Sequence, residues 1–505
     1  MDFLPHFSIE TWALVLLAMG LLLLYGVWPY RVFRNMDIPG PTPFPFFGTA
    51  LAYRHGQVEV DKECFKKYGS TWRFFDGRQP VLAITDPALI KIVLVKECFS
   101  TFTNRRRFGP TGKLSKAVST AEDEQWKRIR TVLSPTFTSG KLKEMIPIIQ
   151  HHVDRLTKYL GEKAKKGDLL DVKEAFGAYS MDVITSTSFG VTTDSINNPK
   201  DPFVKEGRKL VRFSFFSPVF LACMVFPWIT PFLNMMNITI FASDAVEFFT
   251  RAVKEMKKDR EQATDKGRMD FLRMMIESQK AGTNQNSGGT SKGLTDEEIT
   301  AQAVIFIFAG YEATSNLLGY VAYMLATHPD AQKKLQDEID TILPKKAQVT
   351  QDSLMQMEYL DMVVNETLRM FPVGGRLERV CKQNVELNGI TIPKGVVVAI
   401  PIAILHYNPA HWSNPEEFRP ERFSKEKKEQ IDPYIFMPFG VGPRNCIGMR
   451  FALLTLKIAI AQLMQNFTFK PCKETQIPLE LNSVGLLRPK KPIILKIVSR
   501  DESTV

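Results

Sequence analysis

Phe439-Gly440-Val441-Gly442-Pro443-Arg444-Asn445-Cys446-Ile447-Gly448 is the stretch whose reading decides the rest of the chain. Gly440 and Gly442 lack Cβ atoms, so the backbone there is free to pass close to a flat cofactor. Arg444 offers a planar cation suited to a carboxylate such as a propionate. The helical pattern after Cys446 sets its sulfur near a helix N-terminus, where backbone amides stabilise a thiolate. A thiolate on iron donates electron density and favours O–O cleavage. A lone cysteine in a glycine-rich loop is ordinarily a buried structural residue. Here F-x-x-G-x-R-x-C-x-G fixes five positions within ten residues, which argues for a ligand.

Upstream of this loop, Glu366-Thr367-Leu368-Arg369 sets two opposite charges on one helix face. Pro420-Glu421-Arg422-Phe423 lies between that helix and the loop. Thr295 is a predicted N-cap, and Glu298 completes a capping box. The long apolar helix they open runs through Ile305, Phe308 and Leu317 towards His328-Pro329, and carries Ala309-Gly310-Tyr311-Glu312-Ala313-Thr314. Most of residues 120–370 reads helical, while residues 53–80 and 375–405 carry strand patterns. Asn284 to Gly293 reads as a polar, glycine-rich loop.

The N-terminus is of another character. From Trp12 to Trp28 the sequence WALVLLAMGLLLLYGVW holds no charge, with Trp12, Tyr25 and Trp28 towards its ends. This predicts a transmembrane helix with aromatic rings at the interface. Asp2 and Glu10 precede it, and Arg31 and Arg34 follow, which puts the body on the cytosolic side. An acidic leading segment and the lack of an A-x-A site argue against a cleaved signal peptide. Pro39-Gly40-Pro41-Thr42-Pro43-Phe44-Pro45 cannot be helix and is expected to form a stiff strap. The chain thus divides into a membrane anchor (1–30), a Pro-rich hinge (31–50) and one catalytic domain (51–505). The stretch from Phe213 to Phe241, rich in Phe, Met, Trp and Pro, reads equally as buried core or as a surface dipping into the bilayer. A net charge of +11 suits an anionic membrane or an acidic protein partner. Neither zinc-finger spacing nor an aromatic-basic platform points to nucleic acid. The cysteines Cys64, Cys98, Cys223, Cys381, Cys446 and Cys472 form no close-spaced pair, so neither a disulfide scaffold nor a structural zinc site is suggested.

Taken in order, these motifs resemble the cytochrome P-450 family over nearly the whole chain. The resemblance implies a mainly α fold with a small β region, and haem b held between the long central helix and the helix after Cys446. Cys446 would bind the iron. Trp126-Lys127-Arg128-Ile129-Arg130 resembles W-x-x-x-R, so Trp126 and Arg130 would hold the haem propionates together with Arg105, Arg379 and Arg444, and Phe439 would join the haem contacts. Glu366, Arg369 and Arg422 would form a buried structural cluster. Ala309 to Thr314 resembles A-G-x-E-T-T, in which small residues such as Ala309 leave a groove for dioxygen, Gly310 lets the helix bulge, and Glu312 and Thr314 relay protons. The usual first threonine is Ala313. Thr314 is turned away by about 100°, so the coupling of reduction to product is expected to suffer.

Phe137-Thr138-Ser139-Gly140-Lys141-Leu142-Lys143-Glu144, Ala178 to Ile184 and Met357 to Met362 are similar to vertebrate microsomal enzymes of the third family, subfamily A. That likeness implies large lipophilic substrates, steroids and drugs among them, in a pocket lined by Phe108, Ser119, Arg212, Phe213, Phe215, Phe241, Ile305, Phe308, Ala309, Val373 and Gly374. Such a pocket binds by area burial, at about 25 cal/mol per Å², and discriminates shape weakly. The expected activity is insertion of one oxygen atom from O2 at the endoplasmic reticulum membrane. No flavin or nicotinamide fingerprint appears, so electrons would come from NADPH through a separate flavoprotein reductase, with a small cytochrome as a further donor. Lys127, Arg128, Lys141 and Lys143 are expected to steer that acidic partner. Two other readings are a haem-thiolate isomerase or dehydratase of the same fold, and a haem protein that binds ligand without turnover.

Overall fold

A computed structural model describes residues 8–34, 36–198, 200–210, 217–262, 270–283, 293–482 and 486–500. The hydrophobic run folds as α1 (Ile9–Val27), with the Ser8 hydroxyl accepting from the Thr11 amide. Nineteen residues at about 1.5 Å each give roughly 28 Å, close to the hydrocarbon thickness of a bilayer. Its leucines face outward, and only 6% of the apolar window is buried. α1 is a candidate membrane span. Its C-terminal end is docked on the body. Gly26 lies against the Phe46 ring, where a Cβ would come within 2.9 Å. The Tyr25 hydroxyl donates to the Val225 carbonyl at 3.3 Å, its ring stacks on Phe226, and its carbonyl accepts from Arg78 Nε at 3.0 Å. The proline strap is not helical; it bridges from Phe44 to Gly48 around a turn at residues 45–47, and its Pro39 carbonyl accepts from the Arg73 amide at 2.8 Å.

Strand structure begins later than the sequence pattern predicts. Residues 57–68 form α2 (Gln57–Tyr68), flanked by Gly56 and Gly69 at φ +99° and +83°. The strand pattern expected over residues 53–80 fails here: Asp61 and Cys64, three apart, are the buried positions, which is a helical spacing. β1 (Thr71–Asp76) then pairs antiparallel with β2 (Gln79–Ile84). The helical body comprises α3 (Asp123–Leu133), α4 (Ser139–Lys166), α5 (Val172–Phe189), α6 (Asp296–Thr327), α7 (Glu358–Met370) and α8 (Met449–Asn466). β3 (Leu169–Asp171) precedes α5. β4 (Arg376–Val380) and β5 (Val397–Pro401) complete a sheet of order β1-β2-β5-β4, where β5 runs parallel to β2. β6 (Phe467–Pro471) and β7 (Ile494–Ser499) join β3 in the order β3-β7-β6.

α6 is the axis of the core. It too is long and apolar enough to cross a membrane, but 78% of its apolar window is buried among the other helices. Thr295 and Glu298 form the predicted capping box. Glu298 also binds Arg128 and Gln125, which ties α3 to the start of α6. Arg128 is therefore committed inside the fold and is not a free docking charge. The described part of the Phe-, Met- and Trp-rich stretch divides between the two readings: Phe220 and Cys223 are buried and Phe241 packs against the core, while the middle is surface. Pro218–Val225 and Pro227–Met235 form a bent pair at 117°, with Trp228, Phe232, Met235 and Met236 all more than half exposed. The loop from Asn284 lies outside the described residues except for Gly293.

Candidate active site

The loop before α8 is closed by a hydrogen bond from the Cys446 amide to the Phe439 carbonyl at 2.9 Å. Gly440 and Gly442 sit at φ +72° and +80°, which L side chains adopt only with strain. A Cβ on Gly442 would also fall 2.1 Å from the Leu94 carbonyl oxygen. The close approach that the structure accounts for is thus to neighbouring backbone. The Cys446 side chain reaches solvent on one side and is surrounded by protein elsewhere. Burial is the main influence and pushes its thiol up, against the amides of Gly448 and Met449 and the charges of Arg105 and Arg130. A coordinated metal would reverse that balance, because a ligating thiol is deprotonated outright. Among the described residues no group of three or more His, Cys, Asp or Glu could chelate an ion. A single cysteine suits a metal that arrives inside a macrocycle.

Four arginines converge on this loop. Arg105 Nη2 donates to the Arg444 carbonyl at 3.1 Å, and Arg130 binds the Asn445 carbonyl at 2.8 Å and its side-chain oxygen at 2.7 Å. Arg444 donates to the carbonyls of Thr103 and Ala121 and lies 4.7 Å over the Trp126 ring. Arg379, 1% exposed, donates to the Glu378 carbonyl at 2.8 Å. Burial first, and then the charge of Arg105, pull both Arg379 and Arg444 down to about 9. Among the described residues no carboxylate forms an ion pair with any of these four. Trp126 Nε1, Arg379 Nε and Arg444 Nε are buried without a partner. Buried donors and cations in that condition are costly. This donor set fits a group that carries carboxylates, as haem does.

On α6 the open face is Phe308, Ala309 and Ala313; Glu312 and Thr314 are buried. α6 is helical throughout Asp296–Thr327. Gly310 is small because Ile184 of α5 would lie 2.7 Å from a Cβ there. The Glu312 carboxylate is held by Lys173 Nζ at 2.9 Å and by Asn316 Nδ2 at 3.1 Å, with Arg488 Nε 3.7 Å away. Sequence reasoning missed Lys173, which stands 139 residues from Glu312, a separation that no motif spacing reports.

Several of the expected pocket residues come together. Ile305, Phe308 and Ala309 share α6, and the Phe241 ring meets Phe308 edge-on at 5.8 Å. The segment bearing Ser119 is pinned to α6, with the Val118 amide donating to Gln302 Oε1 at 2.6 Å and Gln302 Nε2 donating to the Lys116 carbonyl at 2.8 Å. Ser119 Oγ is buried without a partner. Phe108 carries the Arg106 guanidinium 4.6 Å over its ring. Val373 and Gly374 pair with Leu487 and Leu486 near the C-terminus. Arg212, Phe213 and Phe215 lie outside the described residues.

Behind the loop, Glu366 accepts from Arg369 at 2.8 and 2.9 Å and from Arg422 Nε at 3.2 Å, all buried, and from the part-buried Arg419 amide at 3.0 Å. His406, another residue the sequence left unmarked, links this cluster to the cysteine loop. Its Nδ1 bonds the Arg369 carbonyl at 3.0 Å, and its Nε2 accepts from the Met437 amide at 3.3 Å. Burial holds it down to about 3, so it stays neutral.

A family model described as Cytochrome P450 matches residues 38–497. Cytochrome P450 3A9 of Rattus norvegicus is 59% identical over 503 residues, covering 100% of this chain and 99% of the relative. Cytochrome P450 3A13 of Mus musculus is 58% identical and cytochrome P450 3A7 of Homo sapiens 57% identical, each with the same coverage. With a match of that extent around a lone cysteine, unpaired arginines and a small-residue groove, the chain belongs to the cytochrome P450 family and is a haem-thiolate monooxygenase with iron protoporphyrin IX as its cofactor.

Proposed function

We propose that Cys446 is the iron ligand and that the enzyme oxidises large lipophilic molecules, steroids and drugs among them. One observation carries the placement: four guanidinium groups beside Cys446 lack a carboxylate, and three buried nitrogens lack an acceptor. Two propionates would answer both needs, and Arg105, Arg130, Arg379, Arg444 and Trp126 would hold them, with Phe439 shaping the cysteine loop. Bound haem supplies the activation of dioxygen. The apolar side chains of Phe108, Phe241, Ile305 and Phe308 hold the substrate, and Ser119 Oγ offers it one hydrogen bond. The membership in subfamily 3A that the relatives' names print supports this substrate class. Electrons come from NADPH through a separate flavoprotein reductase, with a small cytochrome as a second donor. The test is turnover of a panel of steroids and lipophilic drugs with reductase present. Substrate-dependent NADPH consumption with an oxygenated product supports the reading. Conversion without reductase would point to an isomerase or dehydratase, and haem binding without consumption to a ligand carrier.

The groove-facing positions Ala309 and Ala313 offer neither hydroxyl nor carboxylate, and Glu312 is engaged by Lys173. Proton delivery to the groove would then fall to water, to substrate groups or to Glu312 once freed from Lys173, and part of the reducing equivalents would be lost as hydrogen peroxide. Ala313→Thr is expected to raise product formed per NADPH. Position 313 is half-buried, so the added methyl and hydroxyl cost at most the ~1–3 kcal/mol of overpacking. Peroxide and product measured together decide it: tight coupling in the wild type, with no gain in the variant, would show that these routes suffice.

The reductase is expected to dock beside α3 and the start of α4, where Lys143 is exposed and Lys127 and Lys141 pair with the solvent-facing carboxylates of Glu124 and Glu144, whereas Arg128 is tied to buried Glu298. Lys127→Glu with Lys143→Glu should slow first-electron transfer and flatten its salt dependence. Peroxide-driven turnover should not change. Normal transfer at low ionic strength would remove this patch from consideration.

α1 anchors the chain in the endoplasmic reticulum membrane, with the catalytic body in the cytosol, as Arg31 and Arg34 after the span favour. Deletion of residues 3–24 should leave haem binding intact and weaken membrane attachment without ending it, because Trp228, Phe232, Met235 and Met236 remain exposed. A truncated protein that is fully soluble at low salt without detergent would show that this second contact does not form.

A further inference from the structure

Directly after α1, the turn Trp28–Phe33, the segment at Asp37 and β1 border an open cleft of about 410 Å³, lined among others by Tyr30, Arg31, Arg34, Asp37 and Arg73. We infer that this cleft binds the phosphate headgroup of an anionic phospholipid. Its three guanidinium groups form no ion pair among the described residues, and Asp37 is the one carboxylate in the lining, which leaves two positive charges in excess. Arg31 and Arg34 are exposed. Arg73 is fixed by donating Nε to the Ile38 carbonyl at 2.8 Å, which leaves its outer nitrogens to form the planar fork that matches a phosphate.

The walls are held in place before any ligand arrives. The Tyr30 hydroxyl donates to the Phe44 carbonyl at 2.7 Å and accepts from the Gly48 amide at 3.0 Å. The strap is locked on β1 at Gly40, where a Cβ would fall 2.0 Å from the Arg73 carbonyl oxygen. Height in the membrane selects a lipid over a soluble phosphate. Trp28, 55% exposed with the Arg31 guanidinium 4.9 Å over its ring, marks the interface. The outward-facing Leu23, Leu24 and Val27 lie just below it, where acyl chains of the same lipid can stay in the bilayer. A bound headgroup would clamp the joint between span and body.

The inference rests on α1 spanning the bilayer, so its test reads both. Full-length protein is reconstituted in phosphatidylcholine vesicles that carry spin-labelled phosphatidylserine or spin-labelled phosphatidylcholine, and the immobilised lipid fraction is measured by electron paramagnetic resonance. Phosphatidylserine should be immobilised at least about twofold more than phosphatidylcholine at equal content, as charge recognition near a membrane surface requires. Arg34→Gln with Arg73→Gln should remove that excess, while flotation with neutral vesicles and the reduced carbon monoxide spectrum stay unchanged. Should that protein fail to fold, the exposed pair Arg31→Gln with Arg34→Gln serves instead. Lys165→Gln with Lys166→Gln, an equal loss of charge elsewhere, should leave the excess intact. Equal loss in that control, or displacement of the label by inorganic phosphate at the same headgroup concentration, would overturn the site. Failure of the wild type to float with neutral vesicles would overturn the anchor instead.

Discussion

Cys446→Ser is expected to abolish the red-shifted Soret band of the reduced carbon monoxide complex and to leave turnover near background. Serine keeps the size of the side chain and the surroundings that favour an anion: the Gly448 and Met449 amides and the charges of Arg105 and Arg130. What it loses is the soft, electron-donating sulfur on which O–O cleavage depends. Substitutions that only orient a metal ligand cost about 10–100-fold, so removing the ligand should exceed that range. The four arginines and Trp126 are untouched, so some haem should remain bound with an altered spectrum. That residual binding separates a changed ligand from an unfolded protein. An unchanged band would remove Cys446 from the iron.

Much of this site is legible in the sequence because its parts are local. The ten residues around Cys446, the capping box at Thr295 and the Glu366–Arg369 spacing each lie within one turn or one loop. Backbone geometry over such a span is fixed by a few residues. The groove on α6 is legible for the same reason, since a helix places Ala309 and Ala313 one turn apart. What escaped the sequence is long-range or depends on competition. Lys173 reaches Glu312 from the start of α5. Arg128 looked like a surface cation and is instead drawn to Glu298 at the cap of α6. Residues 57–68 fall within a stretch expected to be strand, yet the glycines at each end and the burial of Asp61 and Cys64 favour a helix. Gly310 invited a functional explanation, and packing against Ile184 accounts for it.

Glu366→Gln is expected to cost far more stability than the loss of a surface ion pair. Glutamine has nearly the same shape but is neutral and offers one acceptor oxygen where glutamate offers two. Arg369 and Arg422 would be left buried around a group that cannot balance them. Breaking a buried pair from one side costs about 3–5 kcal/mol, against a typical domain stability of about 5–15 kcal/mol. The damage also has a route to the site. Arg369 Nη1 holds the His406 carbonyl at 2.9 Å, and the His406 ring holds Arg369 on one side and the Met437 amide on the other, two residues before Phe439. A loosened cluster should therefore release the cysteine loop, so the variant should show a lower melting temperature together with a reduced fraction of haem-loaded protein. Glu421→Gln is the matched control. Its partner Lys334 is 56% exposed at the side chain and Glu421 itself 44%, and such surface pairs contribute about 0–1 kcal/mol. If Glu366→Gln matches that control in both melting and haem content, the cluster does not brace the loop, and the support for Cys446 must come from the Phe439 hydrogen bond and the packing of α8 instead.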